Sequence, residues 1–503
     1  MFSITFLSLA PELFLSLSIL IFLIVNTVVV NSMKYNFPVL KNEIFSQVIL
    51  ILFFSIFILN SVQIGGYIAS NLFFIDASNI NIKLIWLFFC LGSFVLIWRS
   101  SLIQKLNFFE FFLLYLLSIF ASLLLLSSSD LLAVYLIIEL QSICFYTLAS
   151  FRRGFSFSSE AGLKYFISSA FMSCIFLLGA SILYGSLGTL NLPALSLLLS
   201  FPLVDSASYT SSLVLVGSLF IIIFLLFKLS VVPFHFWFPQ IYDGSPLAAT
   251  IIFSILPKFV VFSILVKWLL VVNGVSVFFS PFILACGVVS SLVGVFLALR
   301  QKKIKKLFIY SSIGQLGLPI CALALDTFNS VLYSYFFFIV YLITSILLWG
   351  YYLVFFSSSS LLSKNKESVL FISSLTNLFY FNKIWALSIL IIFFSMCGVP
   401  PLAGFISKFW IFFSLIDSNY FLVSVFLILL TGFSAFYYVK VLKVSFFENK
   451  APTVSGENQS IFKNDFFSFD CTIFAFCLFL LIFLTFYPDL IFYYLNIIVS
   501  SLV

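Results

Sequence analysis

Residues 213–239 read LVLVGSLFIIIFLLFKLSVVPFHFWFP. The stretch predicts a membrane helix with a lysine, Lys228, set deep inside it, then a helix breaker, Pro233, then His235, the one histidine of the chain. A lysine at the centre of a bilayer costs about 2.5–3.5 kcal/mol on insertion scales. A chain that carries this cost uses the charge. Pro233 lacks a backbone donor and crowds the preceding turn, so the helix is expected to break or kink just past the lysine. Lys228 and His235 are seven positions apart. A helix that is only kinked would hold them on one face, about two turns apart. A lysine near a helix end snorkels to the interface; apolar residues on both sides of Lys228 argue against that here.

Composition sets the class. Of 503 residues, 63% are hydrophobic and 8% charged, and the mean hydropathy is +1.25. A soluble domain averages about 25% charged residues. The chain is therefore an all-α polytopic membrane protein, because only helices and closed barrels satisfy their backbone in lipid. Apolar runs long enough for a core of about 30 Å are Leu13–Val30, Ile44–Val62, Leu84–Trp98, Phe108–Leu126, Leu131–Leu148, Phe166–Leu183, Leu213–Leu229 with a short continuation, Ala248–Val271, Ser276–Leu299, Leu307–Leu325, Ser330–Phe355, Ile384–Phe413, Tyr420–Val439 and Phe469–Tyr487. That makes about fourteen spans. They form one membrane domain, divided at residues 1–107, 108–272, 273–446 and 447–503. Polar stretches at Ser357–Lys366 and Glu448–Asp465 read as loops.

Charge supports this count. Basic residues gather in alternate loops, at Lys34 and Lys41, Arg99 and Lys105, Arg152 and Arg153, Arg300 to Lys306, Lys364 and Lys366, and Lys443 to Lys463. The intervening loops carry mostly acids: Asp76, Asp130, Asp205, Asp326 and Asp417. The positive-inside rule then places both termini on the side away from the basic loops. The net charge of +7 is accounted for by this topology and does not call for nucleic acid. The eight cysteines are scattered through apolar runs without a CxxC pair, and the chain offers no metal or cofactor motif. The start lacks the basic region of a signal peptide, and the 72 phenylalanines fit AT-rich codons of an organellar genome.

Three more ionisable residues fall at membrane depth. Glu139 lies in LLAVYLIIELQSICFY, Lys258 follows Pro257 in IIFSILPKFVVF, and Lys408 follows Pro400 and Pro401 in FFSMCGVPPLAGFISKFW. One acid and three lysines are the makings of a proton relay: burial disfavours a charged lysine, and a nearby carboxylate favours it. The two proline-interrupted helices match each other, which points to an inverted-repeat transporter. The tenth segment has no acid matching Glu139; its Tyr310, Ser311, Ser312 and Gln315 read equally as helix packing.

These motifs, together with SSEAGLKYF, YGSLGTLN, FKLSVVPFHFWFPQIYDGSP and KIKKLFIYSSIGQLG, resemble the antiporter-like subunit family of NADH:ubiquinone oxidoreductase (respiratory complex I) that comprises mitochondrial subunit 2 and bacterial subunit N. The resemblance covers about Phe108 to Lys443. It implies a fourteen-helix fold with two inverted five-helix repeats and broken seventh and twelfth helices. It implies a relay of Glu139, paired with Lys228, then Lys258 and Lys408, with Glu160 and His235 as accessory residues. Glu160 reads equally as a helix-start acid favoured by the helix dipole. The resemblance also implies a place in the mitochondrial inner membrane with both termini on the intermembrane-space side. Partners would be neighbouring membrane-arm subunits and lipids, cardiolipin among the candidates. NADH, flavin, iron–sulfur clusters and ubiquinone would belong to other subunits. A stand-alone cation/proton antiporter, a structural anchoring subunit and a plastid-type relative are the alternatives.

Overall fold

The computed structural model describes residues 8–32, 41–62, 66–68, 71–106, 108–152, 154–200, 209–273, 276–362, 371–375, 383–448 and 468–502. The chain forms two compact units. The first takes Met1–Ser230, Gln240–Phe279 and Asn496–Val503; the second takes Val231–Pro239 and Ser280–Leu495.

The helices are α1 (Ala10–Ser32), α2 (Lys41–Ser61), α3 (Ala77–Ile103), α4 (Phe109–Ser127), α5 (Leu131–Ala149), α6 (Ser156–Leu187), α7 (Leu192–Ser200), α8 (Tyr209–Lys228), α9 (Trp237–Gly244) and α10 (Leu247–Val271). They continue as α11 (Ser276–Leu299), α12 (Ile304–Leu323), α13 (Phe328–Leu362), α14 (Lys383–Cys397), α15 (Ala403–Asp417), α16 (Phe421–Phe447), α17 (Ser468–Phe486) and α18 (Asp489–Leu502). Among the described residues eleven helices are long and apolar enough to cross a membrane, or twelve if the pair Thr472–Phe486 and Asp489–Leu502, bent by 86°, is one span. Ser212–Lys228 and Lys383–Cys397 are shorter apolar helices.

Serine-rich spans hold because the hydroxyls close on their own helix. Ser118 donates to the Tyr115 carbonyl at 2.6 Å and Ser122 to the Ile119 carbonyl at 2.6 Å. Neither hydroxyl is then left as a buried orphan donor. Asp130 caps α5, accepting the Leu132 amide at 2.9 Å, which contributes about 1 kcal/mol.

Several expectations change. Ser357–Leu362, read as loop, continues α13; serine costs a helix only a few tenths of a kcal/mol and no Gly or Pro intervenes. Residues 363–370 and 449–467 lie outside the described residues. A two-stranded antiparallel ribbon, β1 (Gly66–Ile68) with β2 (Phe73–Ile75), occupies a segment read as loop, in the register Tyr67↔Phe74. After Pro488 the chain turns sharply into α18, beyond the last span read in the sequence, Phe469–Tyr487.

Each unit contains one helix buried almost all round, α10 in the first and α13 in the second, with 94% of the span buried in both cases. In the first unit α3, α4, α5, α7 and α8 pack on α10. α6 crosses α8 closely, through two glycines. A Cβ on Gly179 would lie 2.8 Å from the Gly217 carbonyl, and one on Gly217 would lie 3.0 Å from the Gly179 carbonyl. Small residues permit this backbone approach, and it fixes the helix that ends in Lys228. Gly179→Ala is therefore expected to cost about 1–3 kcal/mol through overpacking and lower the thermal midpoint in detergent. Gly185→Ala on the same helix, with nothing within 4 Å of its Cβ position, is expected to leave it unchanged or raise it.

Candidate functional site

Lys228 is the last residue of α8. It lies at the end of a half-helix that breaks just past it. Leu229 and Ser230 still donate backwards, to Leu225 and Phe227, at 3.0 and 2.9 Å. Ser230 then enters the left-handed region at φ 61°, where a further helical turn is impossible. Residues 229–236 are non-helical and helix resumes at Trp237. The break is complete, so Lys228 and His235 do not share a helix face. Lys228 is buried, 8% exposed, and its Nζ lies 5.5 Å from the centroid of the Phe224 ring, within cation–π range.

Glu139 lies mid-way along α5 in the same unit. Its Oε2 accepts from Ser142 Oγ at 3.3 Å and from Tyr146 Oη at 3.4 Å. The Ser142 and Tyr146 hydroxyls bond to each other. These residues sit at i, i+3 and i+7 and so stack on one helix face. The Glu139 Oε1 atom is buried without a hydrogen-bond partner, a position that costs about 1–3 kcal/mol unless a proton or a water occupies it. Glu139 and Lys228 do not touch, yet the carboxylate acts electrostatically on the lysine. The sequence reading passed over Ser142 and Tyr146, although their spacing from Glu139 could have marked them.

Lys258 is 2% exposed within α10. Pro257, just before it, lies inside an unbroken helix and leaves the carbonyl of Phe253 without its helical donor.

In the second unit, α14 stops at Cys397 and α15 starts at Ala403, on either side of Pro400 and Pro401. Gly398 closes the first half at φ 85°. Lys408, on the second half, reaches back to donate to the Met396 carbonyl. It borders a cavity of about 20 Å³ lined also by Ser291, Gln315, Thr431, Ser434 and Tyr437, which is room for one water. Gln315 donates to Tyr438 Oη at 3.1 Å and lines this cavity, so the uncharged patch of the tenth segment contributes to the cavity as well as to packing. His235 is buried against Phe236 at 4.5 Å between ring centroids, and its Nδ1 is without a partner among the described residues. Its carbonyl accepts the Phe238 amide at 3.1 Å. Glu160 pairs with Lys164 at 2.6 Å on the surface of α6, both about half exposed. Among the described residues no group of three or more His, Cys, Asp or Glu side chains is arranged to hold a metal.

Residues 128–434 match the family described as NADH:quinone oxidoreductase/Mrp antiporter, transmembrane. The chain belongs to this family. It is 34% identical over 464 residues to the NADH-ubiquinone oxidoreductase chain 2 of Marchantia polymorpha, covering 89% of this chain and 90% of that one. It is 32% identical over 453 residues to the NADH-quinone oxidoreductase subunit N of Pelagibacter ubique, covering 89% and 91%. A chain of respiratory complex I from Thermus thermophilus has the same fold, with 24% identity, TM-score 0.70 and coverage of 96% and 98%. So has a chain of the Mrp complex from Dietzia sp., with 15% identity, TM-score 0.82 and coverage of 99% and 98%.

The antiporter-family break at Lys408 depends on one close approach. A Cβ on Gly404 would lie 1.7 Å from the Ser395 carbonyl, where only backbone can yield. Gly404→Ala is expected to cost at least about 1–3 kcal/mol, seen as a lower thermal midpoint and less protein in the membrane.

Proposed function

We propose that this chain is the proton-translocating, antiporter-like membrane-arm subunit of respiratory complex I, of the chain 2 or subunit N type. The observation that carries the reading is kinship over 89% of the chain with chain 2 and subunit N relatives, in a chain that buries Lys228 and Lys258 in one unit, beside the half-buried Glu139, and Lys408 in the other. NADH oxidation and quinone reduction belong to other subunits of that enzyme. The relatives from plant mitochondria favour the mitochondrial inner membrane, and the loop charges favour both termini on the intermembrane-space side. Among the described residues, counting each broken helix and the bent C-terminal pair as one span supports a reading of fourteen crossings with two inverted five-helix repeats. Neighbouring membrane-arm subunits and lipids are the expected partners.

The proposed relay runs from Glu139 to Lys228, Lys258 and Lys408. The Glu139 carboxylate favours the ammonium form of Lys228 across the gap between them. When the acid moves away or is protonated, Lys228 gives its proton towards Lys258 and then Lys408. Ser142 and Tyr146 hold the carboxylate's second oxygen, so the unpartnered Oε1 is the atom free to exchange. Each charge moved against the membrane potential costs about 2.3 kcal/mol per 100 mV, which redox chemistry elsewhere in the complex must supply.

A stand-alone cation/proton antiporter would share the broken helices; it would not travel with NADH dehydrogenase activity on a native gel. Lys228→Met is expected to assemble normally and to lower NADH-driven proton pumping several-fold, measured by dye quenching in sealed membrane vesicles. Wild-type pumping in an assembled Lys228→Met complex sinks the relay.

A further inference from the structure

A second group of buried charges lies in the first unit, away from Glu139 and Lys228. Lys83 on α3 forms an ion pair with Glu12 on α1, with side chains 1% and 3% exposed. Lys267 on α10 donates to Asn79 Oδ1 at 2.7 Å and to the Leu126 carbonyl of α4. Asn79 in turn donates to the Phe74 carbonyl of the ribbon at 2.8 Å. Asp76, the residue before α3, lies within electrostatic reach of Lys267. These residues fall at the start of α1 and α3 and at the end of α4 and α10, so they share one end of the unit, the end of the acidic loops.

We propose that Lys267, with Asn79, the Lys83–Glu12 pair and Asp76, forms a proton-exchange site between the interior of the first unit and its acidic-loop face. The proposal rests on the proton-translocating reading above. Three observations carry it. First, Lys267 is held by two neutral acceptors and no carboxylate, while the like charge of Lys83 acts on it. A structural tether would match a cation with an anion at contact distance; here the Asp76 carboxylate acts on Lys267 only from beyond contact. Second, Glu12 Oε2 is buried without a hydrogen-bond partner, so the carboxylate paired with Lys83 keeps an open acceptor. Third, Lys267 is on the same helix as Lys258, nine residues further along α10, about 13.5 Å nearer the acidic-loop face.

The other groups around the cluster do not neutralise it. Tyr67 of the ribbon lies within electrostatic reach of Asp76, and Asp130, at the same end, is engaged in capping α5. Burial pushes the Asp76 carboxyl above the usual carboxylate range, against the opposing pull of Lys267, so it takes up a proton more readily than a free aspartate. In the step proposed, Lys267 Nζ gives one proton to the Asp76 carboxylate through intervening water, since the two groups are not in contact, leaving a neutral amine and a neutral carboxyl. Asp76 passes that proton to bulk water. A proton arriving from the Lys258 side restores the ammonium, and the charge of the site returns to its starting value.

Arginine separates exchange from tethering, because it keeps the charge and the donors of a lysine but does not release its proton. Lys267→Arg is expected to assemble to the normal level on a native gel and to lower the protons moved per NADH by about twofold or more, an effect that loss of a proton-transfer group accounts for. Asp76→Asn, at the half-buried edge where folding is least at risk, is expected to give the same loss, and Asp76→Glu to restore the yield. Wild-type proton yield in Lys267→Arg overturns the site, and if that variant fails to assemble, wild-type yield in Asp76→Asn overturns it. Lys228→Met serves as the reference. If it pumps normally, the relay itself fails; if it is impaired while Lys267→Arg and Asp76→Asn pump normally, only the exchange site fails.

Discussion

An ammonium or an amide placed in hydrocarbon without a partner costs several kcal/mol, and the rest of this structure follows from how that cost is met. Backbone amides meet it by staying helical through each span. Serine hydroxyls meet it by bonding back to their own helix, as at Ser118 and Ser122. The lysines cannot meet it locally, so the protein places them where a helix stops or where other elements supply an acceptor. Lys408 has the Met396 carbonyl, Lys267 has Asn79 and Leu126, and Lys83 has Glu12.

This requirement explains why proline and glycine cluster at the candidate site. A helix that ends inside the membrane exposes its last carbonyls, which carry partial negative charge. Ser230 and Gly398, both at positive φ, end α8 and α14. Prolines 233, 400 and 401 then prevent immediate resumption. Close approaches at Gly179–Gly217 and Gly404–Ser395 hold those ends in place. Tight packing and an expensive charge thus appear together, because a loosely held half-helix could not keep a lysine at a fixed distance from its acceptor.

The membrane class, the family and both helix breaks were legible in the sequence, since each leaves a local mark: hydropathy over twenty residues, ordered motif blocks, or a proline beside a lysine. What was illegible depends on contacts distant in sequence. Glu12 and Lys83 each look like ordinary charges near the start of an apolar run; only their pairing across 71 positions makes them a buried ion pair. Lys267 looks like a helix-end lysine until Asn79 and Leu126 are seen around it. The cavity at Lys408 takes residues from several helices, so no single stretch announced Tyr437 or Ser434. The left-handed turn at Ser230 that ends the helix is set by backbone conformation, which hydropathy does not record.

The two breaks also reach the same end by different routes. Counted back from the second proline of one break and the single proline of the other, Lys228 stands five residues before Pro233 and Met396 five residues before Pro401. One break carries its lysine at that position directly. The other has a methionine there, and Lys408 on the following half-helix brings its ammonium to the Met396 carbonyl. In each unit a positive charge is therefore built at the carboxyl end of the first half-helix, once by sequence position and once by side-chain reach. Aligning the breaks by their lysines would shift the register of one half against the other, whereas aligning them by proline and left-handed residue puts Ser230 on Gly398 and Pro233 on Pro401. The backbone path, and not the position of the lysine in the sequence, is what the two breaks have in common, and a helix end whose dipole favours a cation can be served by either arrangement.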